Sequence, residues 1–98
     1  MNYAIDFSPR ARDNLTALRK RDQQAIVDAI DVQLANERGR PTRNRKPMEE
    51  NPLAPWELRV GDLRVFYDIS VDTATVVIVA VGRKVHNRLF IGGEEIKL

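Results

Sequence analysis

Arg59 and Arg64 stand symmetrically about Gly61-Asp62, with Glu57 before the first and Phe66 after the second. Guanidinium groups present fixed donors that match a phosphate, and a carboxylate beside them can accept a proton. Whether they meet depends on the chain around them. Pro55 to Asp68 reads as two strands joined by a tight turn, because Gly61 takes φ > 0 without steric cost and β-branched and aromatic residues flank it. With Gly61-Asp62 as a two-residue loop, Val60 faces Leu63, Arg59 faces Arg64, Leu58 faces Val65, Glu57 faces Phe66 and Trp56 faces Tyr67. Side chains alternate along a strand. One face therefore carries Trp56, Leu58, Val60, Leu63, Val65 and Tyr67 and belongs to the core. The other carries Glu57, Arg59, Arg64 and Phe66, which leaves Phe66 as the aromatic ring on the arginine face.

Like charges directly opposite each other repel across a strand pair. Two readings of the arginine face stay open. Glu57 and Asp68 balance the arginines on a solvated face, or an anionic ligand does so at a phosphate site.

The 98 residues suffice for one domain, residues 1–98, and a hydrophobic share of 43% allows a modest core. Without cysteine, disulfides, thiolate chemistry and Cys-ligated zinc are excluded, which is compatible with the reducing cytoplasm. No apolar run approaches a membrane span, and the first residues do not read as a signal peptide. No cofactor or metal site is expected. The net charge is only +2, yet basic residues crowd into Arg38 to Lys46, the hairpin, and Arg83 to Arg88. Such clustering points to an anionic partner, a nucleic acid or an acidic protein segment. Arg43, Arg45, Lys46, Arg83 and Arg88 are the candidate contacts for such a partner, and would be RNA contacts if it is a nucleic acid.

The elements that must position these groups follow from periodicity. Tyr3, Ile5 and Phe7 alternate and predict a first strand. Ser8-Pro9 starts a helix, with Ser8 as cap and Ala11, Leu15 and Leu18 at helical spacing. Asp22 reads as a second cap, ahead of a stripe of Ile26, Ile30, Gln33 and Leu34 that stops at Gly39. The two helices are narrow-striped and predict an antiparallel pair covering one sheet face. Residues 40–52 show neither helical nor strand period, and a loop of that length in a small domain is commonly functional. Val76 to Val81, apolar on both faces, is the expected central strand, ended by Gly82. The tail from Leu89 reads as a small strand-turn-strand or a loose arm. The fold class is α+β: an N-terminal strand, a two-helix hairpin, then an antiparallel three-stranded meander in one sheet with the helices on one face.

This order resembles the RelE/ParE superfamily of bacterial toxins, the toxic halves of type II toxin–antitoxin pairs. The Leu58-Arg59-Val60-Gly61-Asp62-Leu63-Arg64-Val65-Phe66-Tyr67 segment is similar to the family's Leu-Arg, turn, Arg-Val-aromatic pattern. Val79-Ala80-Val81-Gly82-Arg83-Lys84 resembles its last core strand and the basic pair that follows, and Ser8-Pro9 its first helix. The resemblance runs to about Arg88.

RelE-like members cut mRNA in the ribosomal decoding site, and ParE-like members act on DNA gyrase. Both are neutralised by an antitoxin. The resemblance thus implies a cognate antitoxin, the ribosome and mRNA as partners, operator DNA through the antitoxin, and no membrane. Metal-free RNA cleavage needs a base for the ribose 2′-OH, an acid for the leaving 5′-oxygen and cations for the phosphate. Arg64 and Arg59 match the family's phosphate-stabilising strand positions, and Lys84 stands where RelE has a second catalytic arginine. Glu57 is the candidate base, as a carboxylate is in some relatives, or else balances Arg59 and Arg64, and Phe66 is the candidate for stacking on an RNA base. His86, whose ordinary pKa near 6.5 suits acid–base work, is the other proton carrier. Pro55 and Glu57 replace RelE lysines, and Phe90 replaces its terminal tyrosine. An mRNA-cleaving toxin, a gyrase-binding toxin and a degenerate member that only binds its antitoxin therefore all stay open.

Overall fold

A computed structural model describes residues 3–34 and 44–97. Their order is β1 (Ala4–Phe7), α1 (Pro9–Thr16), α2 (Lys20–Gln33), β2 (Arg45–Pro47), β3 (Trp56–Val60), β4 (Leu63–Ser70), β5 (Thr75–Val85), β6 (Arg88–Ile91) and β7 (Glu94–Ile96). The strands make one sheet in the order β2-β3-β4-β5-β6-β7, with β1 parallel to β5 beside β6.

Ser8 caps α1 as its sequence predicts, accepting from the Ala11 N–H at 3.0 Å. It also ties the helix to the sheet. Its hydroxyl donates to the Val79 carbonyl at 2.8 Å and its N–H to the Ile78 carbonyl at 2.9 Å. Asn14 Oδ1 accepts from the Val81 N–H at 3.1 Å. Along β5, β1 pairs through Ile78 and β6 begins at Arg83, so these three bonds fill the interval between two strands on one edge.

Asp22 does not cap α2. Arg19 occupies that position without a side-chain capping bond, and Asp22 lies in the first helical turn. Its carboxylate is held by Arg19 Nε at 3.2 Å and Arg83 Nη2 at 2.7 Å, which draws it away from the free amides. Gly39, the expected stop, lies outside the described residues.

The β3–β4 register is the one the Gly61-Asp62 turn dictates, from Trp56↔Tyr67 to Val60↔Leu63. Gly61 has φ +62°, as the first central residue of a type II′ hairpin requires. Between β4 and β5 the pairing steps from Phe66↔Ala80 to Tyr67↔Ile78, leaving Val79 as the extra residue of a bulge.

The sheet is larger than a three-stranded meander. Arg45–Pro47, inside the apparently aperiodic loop, adds to β3, and the tail folds as the β6–β7 hairpin. Gly82 does not end β5, which runs on to Val85. A Cβ at Gly82 would stand 2.5 Å from the Phe90 carbonyl oxygen and 2.8 Å from Ile91 Cγ1. Glycine is there because β6 crosses directly over it.

The helices cover one sheet face. Ala11, Ile26, Ile30 and Leu34 pack on Leu58, Val65, Tyr67, Val76 and Ile78. Trp56 stacks on Tyr67 with ring centroids 5.9 Å apart, and burial pushes the Tyr67 phenol up to about 12 against the opposing charge of Arg45. The other face carries a second, smaller core of Ala54, Phe66, Ala80, Leu89 and Ile91.

Candidate active site

The second face is where the chemistry-bearing side chains gather. Its centre is Glu57, 6% exposed, in the middle of β3. Arg59, two residues along the same strand face, donates from Nε to Glu57 Oε1 at 3.2 Å. Lys46, opposite Glu57 on β2, brings Nζ to 3.9 Å from the same oxygen. Burying a carboxylate is costly unless it is paired, and β2 supplies one of its partners through strand pairing.

Glu57 lines a cavity of about 350 Å³ whose other charged walls are Lys46, Lys84, Arg88, Glu95 and Lys97. Met48, Leu89 and Ile96 supply its apolar parts. Four cations against two carboxylates make it a basin for anions. Lys84 enters from β5, Arg88 from the start of β6, and Glu95 from β7. The Lys84 N–H donates to the Asp62 carbonyl at 2.8 Å, so the β3–β4 turn fixes the backbone that carries this ammonium.

The structure brings together Glu57, Lys46, Lys84 and Arg88 of the sequence candidates. Arg59 adjoins the cavity through Glu57. Arg64 pairs with Arg59 in the ladder, but its Nη1 donates to the Gly61 and Leu63 carbonyls at 2.8 Å each, and its Nε is buried without a partner. His86 is exposed at the β5–β6 turn with φ +50°, and does not line the cavity.

Four side chains stand in surroundings other than those expected. Phe66 is fully buried under Ala54, Leu89 and Ile91, so its ring offers no face to a base. Arg45 is 3% exposed and donates to the Gln33 carbonyl at 2.6 Å, joining β2 to the carbonyl end of α2 rather than reaching for RNA. Arg83 leaves β5 beside the helices, where it spans Asp62 and Asp22 at 2.7 Å each. Arg43 lies outside the described residues. Asp68, expected to balance an arginine, instead accepts from the Ile69 N–H at 2.8 Å.

Glu95 and Lys97 were missed by sequence reasoning. The signal was the Gly92-Gly93 turn, which folds the last charged residues back beside Leu89 and Arg88. Among the described residues, no group of three or more His, Cys, Asp or Glu could hold a metal ion, and no helix is long and apolar enough to cross a membrane.

The family model for the ParE toxin of type II toxin–antitoxin systems, parDE, matches residues 5–87. The chain belongs to the RelE/ParE toxin superfamily. No curated protein matches it in sequence. Among solved structures, the toxin is similar to a chain of the RelBE2 toxin–antitoxin complex from Mycobacterium tuberculosis, with 30% identity and a TM-score of 0.72 over 86% of this chain and 100% of that one. The archaeal RelE–RelB complex from Pyrococcus horikoshii gives 17% identity and a TM-score of 0.68 over 88% and 99%. The Escherichia coli RelBE complex gives 19% and 0.53 over 86% and 99%, and both show the shared fold. The ParE match ends at Asn87, so Arg88, Glu95 and Lys97 of the toxin's cavity lie beyond it.

Proposed function

We propose that this toxin is a metal-independent endoribonuclease that cuts ribosome-bound mRNA in the cytoplasm. The observation that carries the reading is Glu57, a nearly buried carboxylate opening on a cavity lined by Lys46, Lys84 and Arg88. A carboxylate in that position can accept a proton from a group bound in the cavity, and the cations around it can offset charge on a phosphate. In the proposed step Glu57 takes the proton of the ribose 2′-OH, the 2′-oxygen bonds to phosphorus and the P–O5′ bond breaks. Lys84 gives a proton to the departing 5′-oxygen, leaving a 2′,3′-cyclic phosphate and a free 5′-hydroxyl. Lys46 and Arg88 offset the charge that grows on the phosphate oxygens. Arg59 holds Glu57, and Arg64 holds the turn from which Lys84 is hung.

The similar structures are toxin–antitoxin complexes. The cationic excess of the cavity suits an acidic antitoxin segment as the neutralising partner, competing with mRNA for Lys84 and Arg88.

A second reading, gyrase inhibition by binding, is favoured by the ParE family match and by Arg64 folding onto its own turn. Purified toxin incubated with programmed ribosomes, and separately with gyrase and relaxed plasmid, separates the two. Cleaved mRNA ending in a 2′,3′-cyclic phosphate with gyrase unaffected is the expected outcome. Intact mRNA with supercoiling blocked would select the second reading.

A further inference from the structure

The cavity's two carboxylates differ in their surroundings. Glu57 is nearly buried and charge-paired with Arg59 and Lys46. Glu95 is exposed, and no hydrogen bond or ion pair reaches its side chain among the described residues. It is nonetheless placed by regular structure. Glu95 pairs with Phe90 in the β6–β7 ladder, and β6 is seated over Gly82 of β5. An unpaired carboxylate weakens a site built for phosphate alone, since like charges repel. It suits a ligand that carries N–H donors as well as negative charge.

We infer that Glu95 reads the base of the bound nucleotide and selects guanine. This deepens the ribonuclease reading above and rests on it. Single-stranded RNA exposes the Watson–Crick edges of its bases. Guanine alone presents two adjacent donors there, N1–H and N2–H, which the two carboxylate oxygens accept together. Adenine and cytosine set one amino group beside an acceptor that a carboxylate repels, and uracil sets its single N–H between two carbonyls. Lys46 and Arg88 hold the phosphate while Glu95 takes the base, and a cavity of about 350 Å³ has room for one nucleotide.

The test has two arms. In the first, cleavage sites are mapped on ribosome-bound mRNAs of randomised sequence for the wild type, Glu95→Gln and Glu95→Ala. In the second, binding of short oligoribonucleotides that differ in one base, 2′-deoxy at that nucleotide to block cleavage, is followed by NMR. The wild type is expected to favour guanine by about 5- to 150-fold, the range one bidentate base contact supplies. Glu95→Ala loses the preference, and Glu95→Gln weakens it strongly, because a carboxamide offers one donor and one acceptor and so no longer accepts both guanine N–H groups. A wild type without base preference in the binding arm, or a preference that survives both substitutions, overturns the assignment. Absent cleavage with guanine-selective, Glu95-dependent binding would refute the ribonuclease reading and uphold the role of Glu95.

Discussion

Arg59 lies directly opposite Arg64 across the β3–β4 ladder, yet the two guanidiniums take their partners from different places. Arg59 uses the Glu57 carboxylate, and Arg64 turns back to the Gly61 and Leu63 carbonyls. Each guanidinium thus has a hydrogen-bond partner within the hairpin. Arg64 is therefore a brace for the turn that anchors the Lys84 backbone. Arg64→Ala should lower the unfolding free energy by about 1–3 kcal/mol and reduce mRNA cleavage, with Arg64→Lys restoring only part of both because lysine lacks the fork. His86→Ala, outside the cavity, should leave cleavage unchanged. Denaturant titration and growth arrest on induction check the order. A fully active Arg64→Ala beside an inactive His86→Ala would reverse it.

Gly82 is the floor on which β6 rests. Gly82→Ala places a methyl into the Phe90 carbonyl and Ile91, and should cost about 1–3 kcal/mol by overpacking. The loss should concentrate in β6 and β7, where amide hydrogen exchange would quicken more than in β3 and β4. Uniform exchange across the sheet would argue against this seating.

Ala74 closes the β4–β5 turn with φ +49°, a left-handed conformation that a Cβ disfavours. Ala74→Gly relieves it and should raise stability by up to about 1 kcal/mol, read as a higher denaturation midpoint. An unchanged or lower midpoint would place no strain there.

Burial pushes the Asp22 carboxyl up, but hydrogen bonds and charges from Arg19 and Arg83 outweigh it and hold the group below its ordinary 3.8. A carboxylate with a depressed folded pKa contributes stability above its unfolded value and loses it as pH falls through the folded one. The Asp22 contribution should thus be complete at neutral pH, begin to fall near the unfolded carboxylate value of about 4 and be lost as pH passes the lower folded one. Denaturation midpoints between pH 2 and pH 7 should fall less steeply in Asp22→Asn than in the wild type. Parallel curves would show that Asp22 carries none of the acid sensitivity.

The hairpin register and its two faces were legible because a two-residue Gly-Asp turn and strand alternation leave one arrangement. The positions of Arg59, Arg64 and Glu57 follow from it. Phe66 was placed on the correct face but not as buried, because Ala54, Leu89 and Ile91 cover it from segments far along the chain. Arg45 and Arg83 read as surface charge, since nothing local shows that the α2 carbonyl end or two carboxylates await them. Gly82 looked like a strand end because close approach of a later strand leaves the same residue type as a break. Glu95 and Lys97 were invisible as site residues until the tail was known to fold back.

The most direct test is the single-turnover rate of cleavage of ribosome-bound mRNA by Glu57→Gln, which keeps the side-chain shape and removes the base. Ribosome binding and unfolding midpoint are measured alongside, so that a folding defect is recognised. The expected result is a rate lower by about 10²- to 10⁴-fold with binding retained, the range a general base supplies. A folded, ribosome-bound Glu57→Gln protein that cleaves at the wild-type rate would contradict the assignment of the cavity as the active site.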